Sequence, residues 1–429
     1  MSVNEYNILF TNLKTYYDLY YYHLMSSSSV IAMYNLSDIK EFKEIINKSE
    51  VSNILKLNKV ECRTNNKEYT FVAYNKNLLT SDLTSTYGLF RSVIINNSNI
   101  VVGFSPPKSV SFTDFTTKYN ENDPDIVAEE FVEGTMINVF WDETDWEIST
   151  RNTIGATSSF YKGPNTKTFR DMFMEASKEN NLLLDNLDKK YCYSFVLQHP
   201  ENRIVVPFKT PQLYLVAMYS INNDVNVEVY EPEEYKNIFV NTAIKFPEPY
   251  QFNKYSDLIE KYGSMNTSYH VVGVVIRNKK TGERSKIRNP VYEQVRALKG
   301  NQPKLQYQYL SLRKEGKVCE FLTYYPENKK DFSNYRDDLH CFTKTLYLNY
   351  VSCYIKKEKK LEEFLPQFKT HMYNIHQKYI NDLREKKLFV THSFVISFVN
   401  ELHPSLLMYS MNFHMRKRCV DTIVAETNI

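Results

Sequence analysis

Residues 129–156 read EEFVEGTMINVFWDETDWEISTRNTIGA, and this stretch decides the fold of the chain. Side chains of residues 131–140 alternate between two faces, which predicts a β-strand. The polar run 142–145 predicts a tight turn, and residues 146–150 predict the returning strand. Gly134 would weaken a strand unless a ligand or another backbone comes close to it. The hairpin is therefore either a buried one with a bulge glycine or part of a binding site.

Length and composition are those of an ordinary globular protein. The 429 residues suffice for two or three domains with sizeable cores. Hydrophobic residues make up 42% and charged residues 24% of the chain. A net charge of +3 does not by itself indicate a nucleic-acid partner, so any basic patch must be local. No apolar run is long enough to span a bilayer, and we expect no membrane partner.

Cysteine and tyrosine usage adds two expectations. The six cysteines show neither a CxxC pair nor metal-ligand spacing, which predicts reduced thiols in a cytosolic compartment. The 34 tyrosines could stack on nucleobases. Because they are spread along the whole chain, half-buried structural positions are the favoured interpretation.

The first quarter of the chain changes from helical to β periodicity. Residues 1–56 are predicted to be helical, with a cap at 37–38 for a helix through residue 46. Three strands are then predicted at 69–74 (YTFVAY), 89–95 (LFRSVII) and 99–104 (NIVVGF). The loop FSPPKS at 104–109 is stiff because two prolines fix its backbone.

The remainder predicts a β core followed by helices. An amphipathic helix is predicted over 168–180. Further strands are predicted at 192–198, 203–208, 213–219, 270–277 and 284–288. After Pro290 the chain has helical patterns to its end. These elements predict an α+β fold with an antiparallel β core: a helical segment at 1–56, a β-rich domain at 57–292 and a helical C-terminal domain at 293–429.

The order of the motifs resembles that of the covalent nucleotidyltransferases, most closely the phage-type ATP-dependent RNA ligases that repair broken tRNA. The resemblance extends over about residues 68–292 and implies the nucleotidyltransferase fold. HPENRIVVPF (199–208) resembles the family's PxNRIV strand. FVEGT (131–135) stands at the KxDG motif, VVGVVI (271–276) at EGxV and SKIRNPVY (285–292) at KxK.

Several positions depart from the family pattern. The family nucleophile is a lysine whose amine attacks the α-phosphate of ATP, and Phe131 stands at that position. Glu133, followed by Gly134, replaces an aspartate, which is tolerable for binding a ribose. Val196 and Val272 replace glutamates that contact the ribose and hold a divalent metal, which requires oxygen ligands. The resemblance therefore implies no catalytic residue and no metal site here.

The family's basic positions are retained. The resemblance places five cations, Arg91, Lys108, Arg151, Lys286 and Arg288, around one phosphate-binding cleft. Such like charges repel one another unless an anion lies between them. The alternative is that Arg151, Arg203 and Arg288 form ordinary salt bridges with nearby glutamates. Candidates for these glutamates are Glu133, Glu147 and Glu201.

A relocated nucleophile is a second possibility. Lys108 lies in a stiff loop and could in principle reach the α-phosphate, while Lys118 lies in a polar connection. The valines at 196 and 272 argue against both lysines, because metal-binding carboxylates are missing as well.

Basic and aromatic residues alternate just after the last core strand, at 289–314. This segment would suit RNA, because its Lys and Arg side chains could bind phosphates and Tyr292, Tyr307 and Tyr309 could stack on bases. A helix that packs these tyrosines inward and solvates its lysines is an equal alternative. The helical C-terminal domain of the resembled family helps to select tRNA, which implies RNA as the partner.

Three functions remain open. The leading one is an RNA-ligase-like pseudoenzyme that binds RNA, such as tRNA or 5′-phosphate ends, or a nucleotide. The second is an active ATP-dependent RNA ligase that uses Lys108, with ATP and Mg²⁺ as cofactors. The third is a structural subunit with protein partners in a viral RNA-processing or virion assembly. The expected location is the cytoplasm, or a viral factory or virion.

Overall fold

The computed structural model describes residues 32–46, 53–62, 66–160, 166–222 and 225–415. It divides into two compact units, the first ending at Glu293 and the second beginning at Gln294. No helix within these described ranges is long and apolar enough to cross a membrane. The α+β class is confirmed, because the first unit combines antiparallel sheets with helices.

The strands of the first unit are numbered in chain order. They are β1 (Ala32–Asn35), β2 (Leu55–Glu61), β3 (Glu68–Tyr74), β4 (Val93–Ile95), β5 (Val101–Gly103), β6 (Ile126–Glu130), β7 (Thr135–Asp142), β8 (Asp145–Ser149), β9 (Tyr191–Gln198), β10 (Gln212–Ile221), β11 (Asn226–Tyr230), β12 (Pro249–Tyr250), β13 (Gly273–Asn278) and β14 (Arg284–Arg288). They form three sheets, with the orders β1-β11-β10-β9-β7-β8, β12-β6-β13-β14 and β2-β3-β4-β5.

The helices up to residue 299 lie between strands in chain order, except the last, which follows β14. They are α1 (Lys40–Ile46), α2 (Phe112–Lys118), α3 (Phe169–Glu179), α4 (Pro232–Tyr235), α5 (Tyr255–Tyr262) and α6 (Pro290–Lys299). The helix predicted at 168–180 is confirmed as α3. Thr168 and Asp171 form a reciprocal capping box that fixes its start.

The six-stranded sheet is covered on both faces. Along β9, Tyr193 and Phe195 point into a core that contains Phe173 of α3. Cys192 points to the opposite face, into a core shared with the β2–β5 sheet. A third core lies between the β6–β13–β14 strands and the helices α2 and α5. Alternate side chains of a strand point to opposite faces, so a central strand such as β9 is buried along its whole length except at Gln198.

Three predictions of secondary structure outside the stretch 131–140 are wrong in whole or in part. In the predicted helical segment 1–56 the helix through residue 46 is formed as α1, but the segment also contains the strand β1, and its residues before 32 lie outside the described ranges. The strand predicted at 89–95 is formed only at Val93–Ile95. The strand predicted at 203–208 is absent from that described segment, which bends instead. Its backbone N–H groups at Val205 and Val206 bind a side chain rather than a neighbouring strand.

The described part of the second unit is helical. Its helices are α7 (Leu305–Lys314), α8 (Val318–Tyr324), α9 (Lys329–Tyr350), α10 (Pro366–Lys378), α11 (His392–Glu401) and α12 (Pro404–Met411). Phe342 of α9 stacks on Phe368 of α10, with ring centres 5.3 Å apart. The buried side chains of Met372 and Val399 belong to α10 and α11.

Candidate functional site

Four residues, 131–134, carry the chain from one sheet into another. The strand predicted at 131–140 is split, because β6 ends at Glu130 and β7 begins at Thr135. Gly134 has a φ of +147°, and a Cβ there would lie 2.7 Å from Val196 Cγ1 and closer still to the carbonyl oxygen of Leu197. The close backbone that Gly134 predicts is therefore Leu197 of β9, and only glycine fits this position without strain.

Glu133 binds the bent segment that follows β9. Its side chain is buried and accepts hydrogen bonds from the backbone N–H groups of Val205 (2.6 Å) and Val206 (3.1 Å). Its carbonyl oxygen accepts a third bond, from Gln198 Nε2 at 3.0 Å. The carboxylate predicted to bind a ribose thus satisfies the backbone of the HPENRIV motif.

The ring of Phe131 lies beside two of the predicted cations. Lys286 Nζ is 4.2 Å from the ring centre, and the guanidinium carbon of Arg288 is 5.4 Å from it. These distances are those of cation–π interactions. Arg288 also forms an ion pair with Glu293, so the predicted alternative of an ordinary salt bridge applies to it, with a different glutamate.

The strand β14 explains why these cations lie together. Ser285 and Ile287 are buried, so the alternate residues Arg284, Lys286 and Arg288 project to the other face. We call these three residues the cationic row. Arg284 was missed at the sequence level, although the spacing R-x-K-x-R within a strand could have identified it.

Arg284 connects the cationic row to two further predicted cations. Burial, followed by the charges of Arg284 and Arg151, lowers the pKa of Arg91 to about 10. The part of this shift that comes from charge indicates that Arg284 and Arg151 lie near Arg91. Arg151 is exposed and lies 5.5 Å from the ring centre of Tyr74. Repulsion within this group favours the binding of an anion beside it.

Lys108 lines a separate pocket of about 190 Å³ that it shares with Arg284. Thr84, Ser85 and Tyr34 also line this pocket. Arg284 donates two hydrogen bonds to the carbonyl oxygen of Pro107, at 3.1 Å and 2.6 Å, which joins the loop before Lys108 to β14. Lys118, the other candidate nucleophile, forms an ion pair with Glu283 at 2.7 Å.

The side chains at the positions where the resembled family binds a divalent metal do not fit such an ion. Val196 and Val272 are both buried and offer no oxygen ligand. Among the residues that the structure describes, no three His, Cys, Asp or Glu side chains form a cluster suited to a metal.

A buried ion-pair group, also missed at the sequence level, lies next to the site. Arg277 of β13 forms ion pairs with Glu231 and, at 3.4 Å, with Glu129 of β6. Burial alone would lower the pKa of Arg277, but the hydrogen bond to Glu231 and the two carboxylate charges outweigh it and raise that pKa. Because Glu231 directly follows β11, the group fastens the β6–β13 sheet to the six-stranded sheet.

The tyrosines predicted to stack on RNA after Pro290 are mostly internal. Tyr292 and Tyr309 are buried, and Tyr309 packs edge-on against Phe332 with ring centres 5.2 Å apart. Tyr307 is half-buried. Inward packing is therefore the correct alternative for Tyr292 and Tyr309.

Comparisons with known proteins show what the chain is similar to. No family model matches the chain. An RNA ligase of Rhodothermus phage RM378 is 27% identical over 285 residues, which cover 58% of this chain and 64% of the phage protein. The immediate-early protein ICP-46 homolog of Invertebrate iridescent virus 6 is 24% identical over 341 residues, covering 73% of this chain and 71% of that protein.

Solved structures of RNA ligases show a partial likeness to the chain. An archaeal ATP-dependent RNA ligase matches with a TM-score of 0.36 and 9% identity, over 65% of this chain and 72% of that one. The sequence relatives carry this finding: the chain is similar to an RNA ligase of a phage and to a protein of an iridescent virus, in line with the resemblance that its motifs predicted. The matched region spans less than two thirds of the phage ligase's own length.

Proposed function

We propose that the chain binds RNA or a nucleotide through the cationic row and does not form a covalent lysyl-AMP intermediate. The observation that carries this proposal is the ring of Phe131 at the nucleophile position, 4.2 Å from Lys286 Nζ. A phenyl ring has no lone pair with which to attack a phosphate. The cations around it remain suited to an anionic ligand.

We propose RNA as the ligand because of the sequence relatives and because of the positive charge of the cationic row. The phage relative is an RNA ligase, and phosphate groups are the ligands that closely spaced lysine and arginine side chains bind best. Arg284, Lys286 and Arg288 repeat every second residue along one strand, so they match a ligand with several phosphates. A tRNA or a 5′-phosphate end provides such a ligand.

The proposed ligands include ATP, but we propose no ligation reaction with it. Its phosphates could contact the cationic row, while Val196 and Val272 leave no carboxylate to hold the metal that accompanies them. We therefore derive no reaction step through ATP and magnesium.

A second function, an active RNA ligase, has one observation in its favour. Lys108 lines a pocket together with Arg284, whose charge would favour a phosphate close to the lysine amine. A structural subunit of a viral assembly is the third function, and it requires no ligand at the cationic row.

The test is a titration of labelled tRNA at several salt concentrations. Removing one cation that binds a phosphate lowers the slope of log affinity against log salt by about 0.7 to 0.9. Lys286→Ala combined with Arg288→Ala should therefore weaken binding and flatten the slope by about one to two units. The matched control is Lys59→Ala with Lys76→Ala, two exposed lysines in and next to the β2–β5 sheet. If the wild-type protein binds no RNA even at low salt, the structural-subunit function replaces this proposal.

A further inference from the structure

Two helices of the second unit end in the same unusual way. α9 continues into a π-helical turn at Val351–Ile355, and α10 continues into another at Tyr379–Leu383. π-helical turns are rare and occur frequently at functional sites. The two turns lie side by side, because Tyr350 Oη and His376 Nδ1 are within 3.3 Å of each other.

Aromatic rings meet between these two turns. The rings of Tyr354 and His376 are stacked with centres 3.9 Å apart, and His376 is stacked with Tyr379 at 5.9 Å. We call these three residues the aromatic stack. All three are half-buried, so each retains accessible surface. Tyr373, one helical turn before His376 on α10, is 51% exposed and extends the same face.

Basic residues flank the aromatic stack along the chain. Residues 351–360 and 376–387 together contain eight Lys or Arg residues and three Asp or Glu residues, whereas the whole chain has a net charge of only +3. Lys356 and Lys378 form ion pairs with Glu358 and Glu401. Positive charge is therefore concentrated in these two segments rather than spread over the protein.

Two of these lysines adopt a conformation that favours glycine. Lys357 has a φ of 58° and Lys387 a φ of 55°, and each follows one of the π-helical turns. A side chain in this left-handed region is strained, and glycine would not be. Backbone strain of this kind occurs most often at functional sites. A glycine at either position would remove the backbone strain, but it would also remove the positive charge of the lysine.

We propose that the aromatic stack and its lysines bind unpaired nucleobases of single-stranded RNA. Bases stack on tyrosine and histidine rings, and lysines beside the rings hold the phosphates that join those bases. Base-paired RNA buries the faces of its bases, so a duplex should use only the lysines. This surface lies in the second unit and does not rest on the cationic row of the first.

The aromatic contribution is tested with Tyr354→Leu in the full chain. The probes are a fluorescent single-stranded oligouridine RNA and a duplex RNA of the same length. Leucine keeps an apolar side chain but removes the ring face, so single-strand affinity should fall by about five- to hundredfold. The salt slope should not change, because stacking releases no counterions. Tyr354→Phe, the matched control, should bind like the wild type.

The charge contribution is tested with Lys357→Gly combined with Lys387→Gly. Because these exchanges relieve backbone strain, weaker binding by this variant is not explained by loss of folding. The salt slope for the single strand should fall by about 0.7 for each lysine that contacts a phosphate. Duplex binding should weaken as well, in contrast to the result for Tyr354→Leu.

Three outcomes would overturn this proposal. One is a folded Tyr354→Leu protein with wild-type affinity for oligouridine. Another is an equal loss of duplex and single-strand binding in that variant. The third is binding of an acidic polyglutamate peptide in place of RNA, which would make the surface a protein-docking site. The variant Lys286→Ala with Arg288→Ala tests the first unit separately, so failure of one proposal is distinguishable from failure of the other.

Discussion

The ammonium group of Lys286 lies 4.2 Å from the centre of the Phe131 ring, and the motif order predicts that Phe131 stands at the position of the family's nucleophilic lysine. Arg288 approaches the same ring at 5.4 Å. One aromatic ring thus contacts two cations of the cationic row. We expect the ring to hold the side chains of the two cations in place. This role can be tested without changing any charged residue.

Replacing Phe131 with leucine should lower both stability and RNA affinity. Each cation–π interaction removed at a partly exposed site costs about 0.5–1 kcal/mol. We expect a decrease of about 1 kcal/mol in the free energy of unfolding and a few-fold weaker binding of tRNA, measured by urea denaturation and fluorescence anisotropy. Phe131→Tyr retains the ring and serves as the control. An unchanged Phe131→Leu protein would show that the ring does not order Lys286 and Arg288.

Incubation with labelled ATP and magnesium or manganese should yield no covalent protein adenylate. The reason is that Phe131 provides no nucleophile and the buried Val196 and Val272 provide no ligand for the metal. An acid-labile, alkali-stable band on a denaturing gel is the signal to seek. A band that is present in the wild type and absent from Lys108→Ala would establish the active ligase with a relocated lysine.

Replacing Arg277 with methionine should destabilise the first unit strongly. The exchange leaves Glu231 and Glu129 without the cation between them, and breaking a buried ion pair costs about 3–5 kcal/mol. Urea denaturation measures this loss. Arg277→Lys keeps the charge but not the paired hydrogen bonds, so its loss should be smaller.

The same variant should recover stability as the pH falls. An unpaired buried carboxylate is more stable when protonated, so its pKa in folded Arg277→Met lies above its value in the unfolded chain. The folded state then binds more protons than the unfolded state, and lowering the pH favours folding. The deficit relative to wild type should shrink between about pH 7 and pH 5. A deficit that is constant over this range would show that the carboxylates are not its cause.

Gly134→Ala should be among the most damaging single exchanges in the first unit. The added Cβ would collide with the Leu197 carbonyl and with Val196, and the φ of +147° is unfavourable for any side chain. Losses of more than about 3 kcal/mol are typical of such backbone collisions. The control is Gly88→Ala, whose nearest neighbour, Thr84 Cγ2, lies at 3.3 Å and whose φ is not left-handed. Thermal unfolding that is equal for the two variants would contradict this prediction.

Local sequence signals predicted the local structure well. Turn residues at 142–145 fixed the β7–β8 hairpin, and the cap at Thr168 fixed the start of α3. The break at 131–134 was not predictable, because the alternation of apolar and polar residues continues across two strands of different sheets. The segment 203–208 has the composition of a strand, and its long-range bonds to Glu133 override that composition.

The site was predicted less completely than the fold. The motif order located Phe131, Lys286 and Arg288, and the structure brings these three together. Arg284 was missed although the spacing R-x-K-x-R marks it, and Arg277 was missed because its partner Glu231 is 46 residues away along the chain. No spacing rule joins such distant residues.

The two cations beside Phe131 have a consequence for protein engineering. An amine introduced there by Phe131→Lys would lie next to two positive charges, and such neighbours lower the pKa of an amine and raise its unprotonated fraction at neutral pH. An unprotonated amine condenses readily with aldehydes to form imines. One exchange in this scaffold would therefore provide an attachment point for aldehyde-bearing dyes, selective over the solvated lysines elsewhere on the surface.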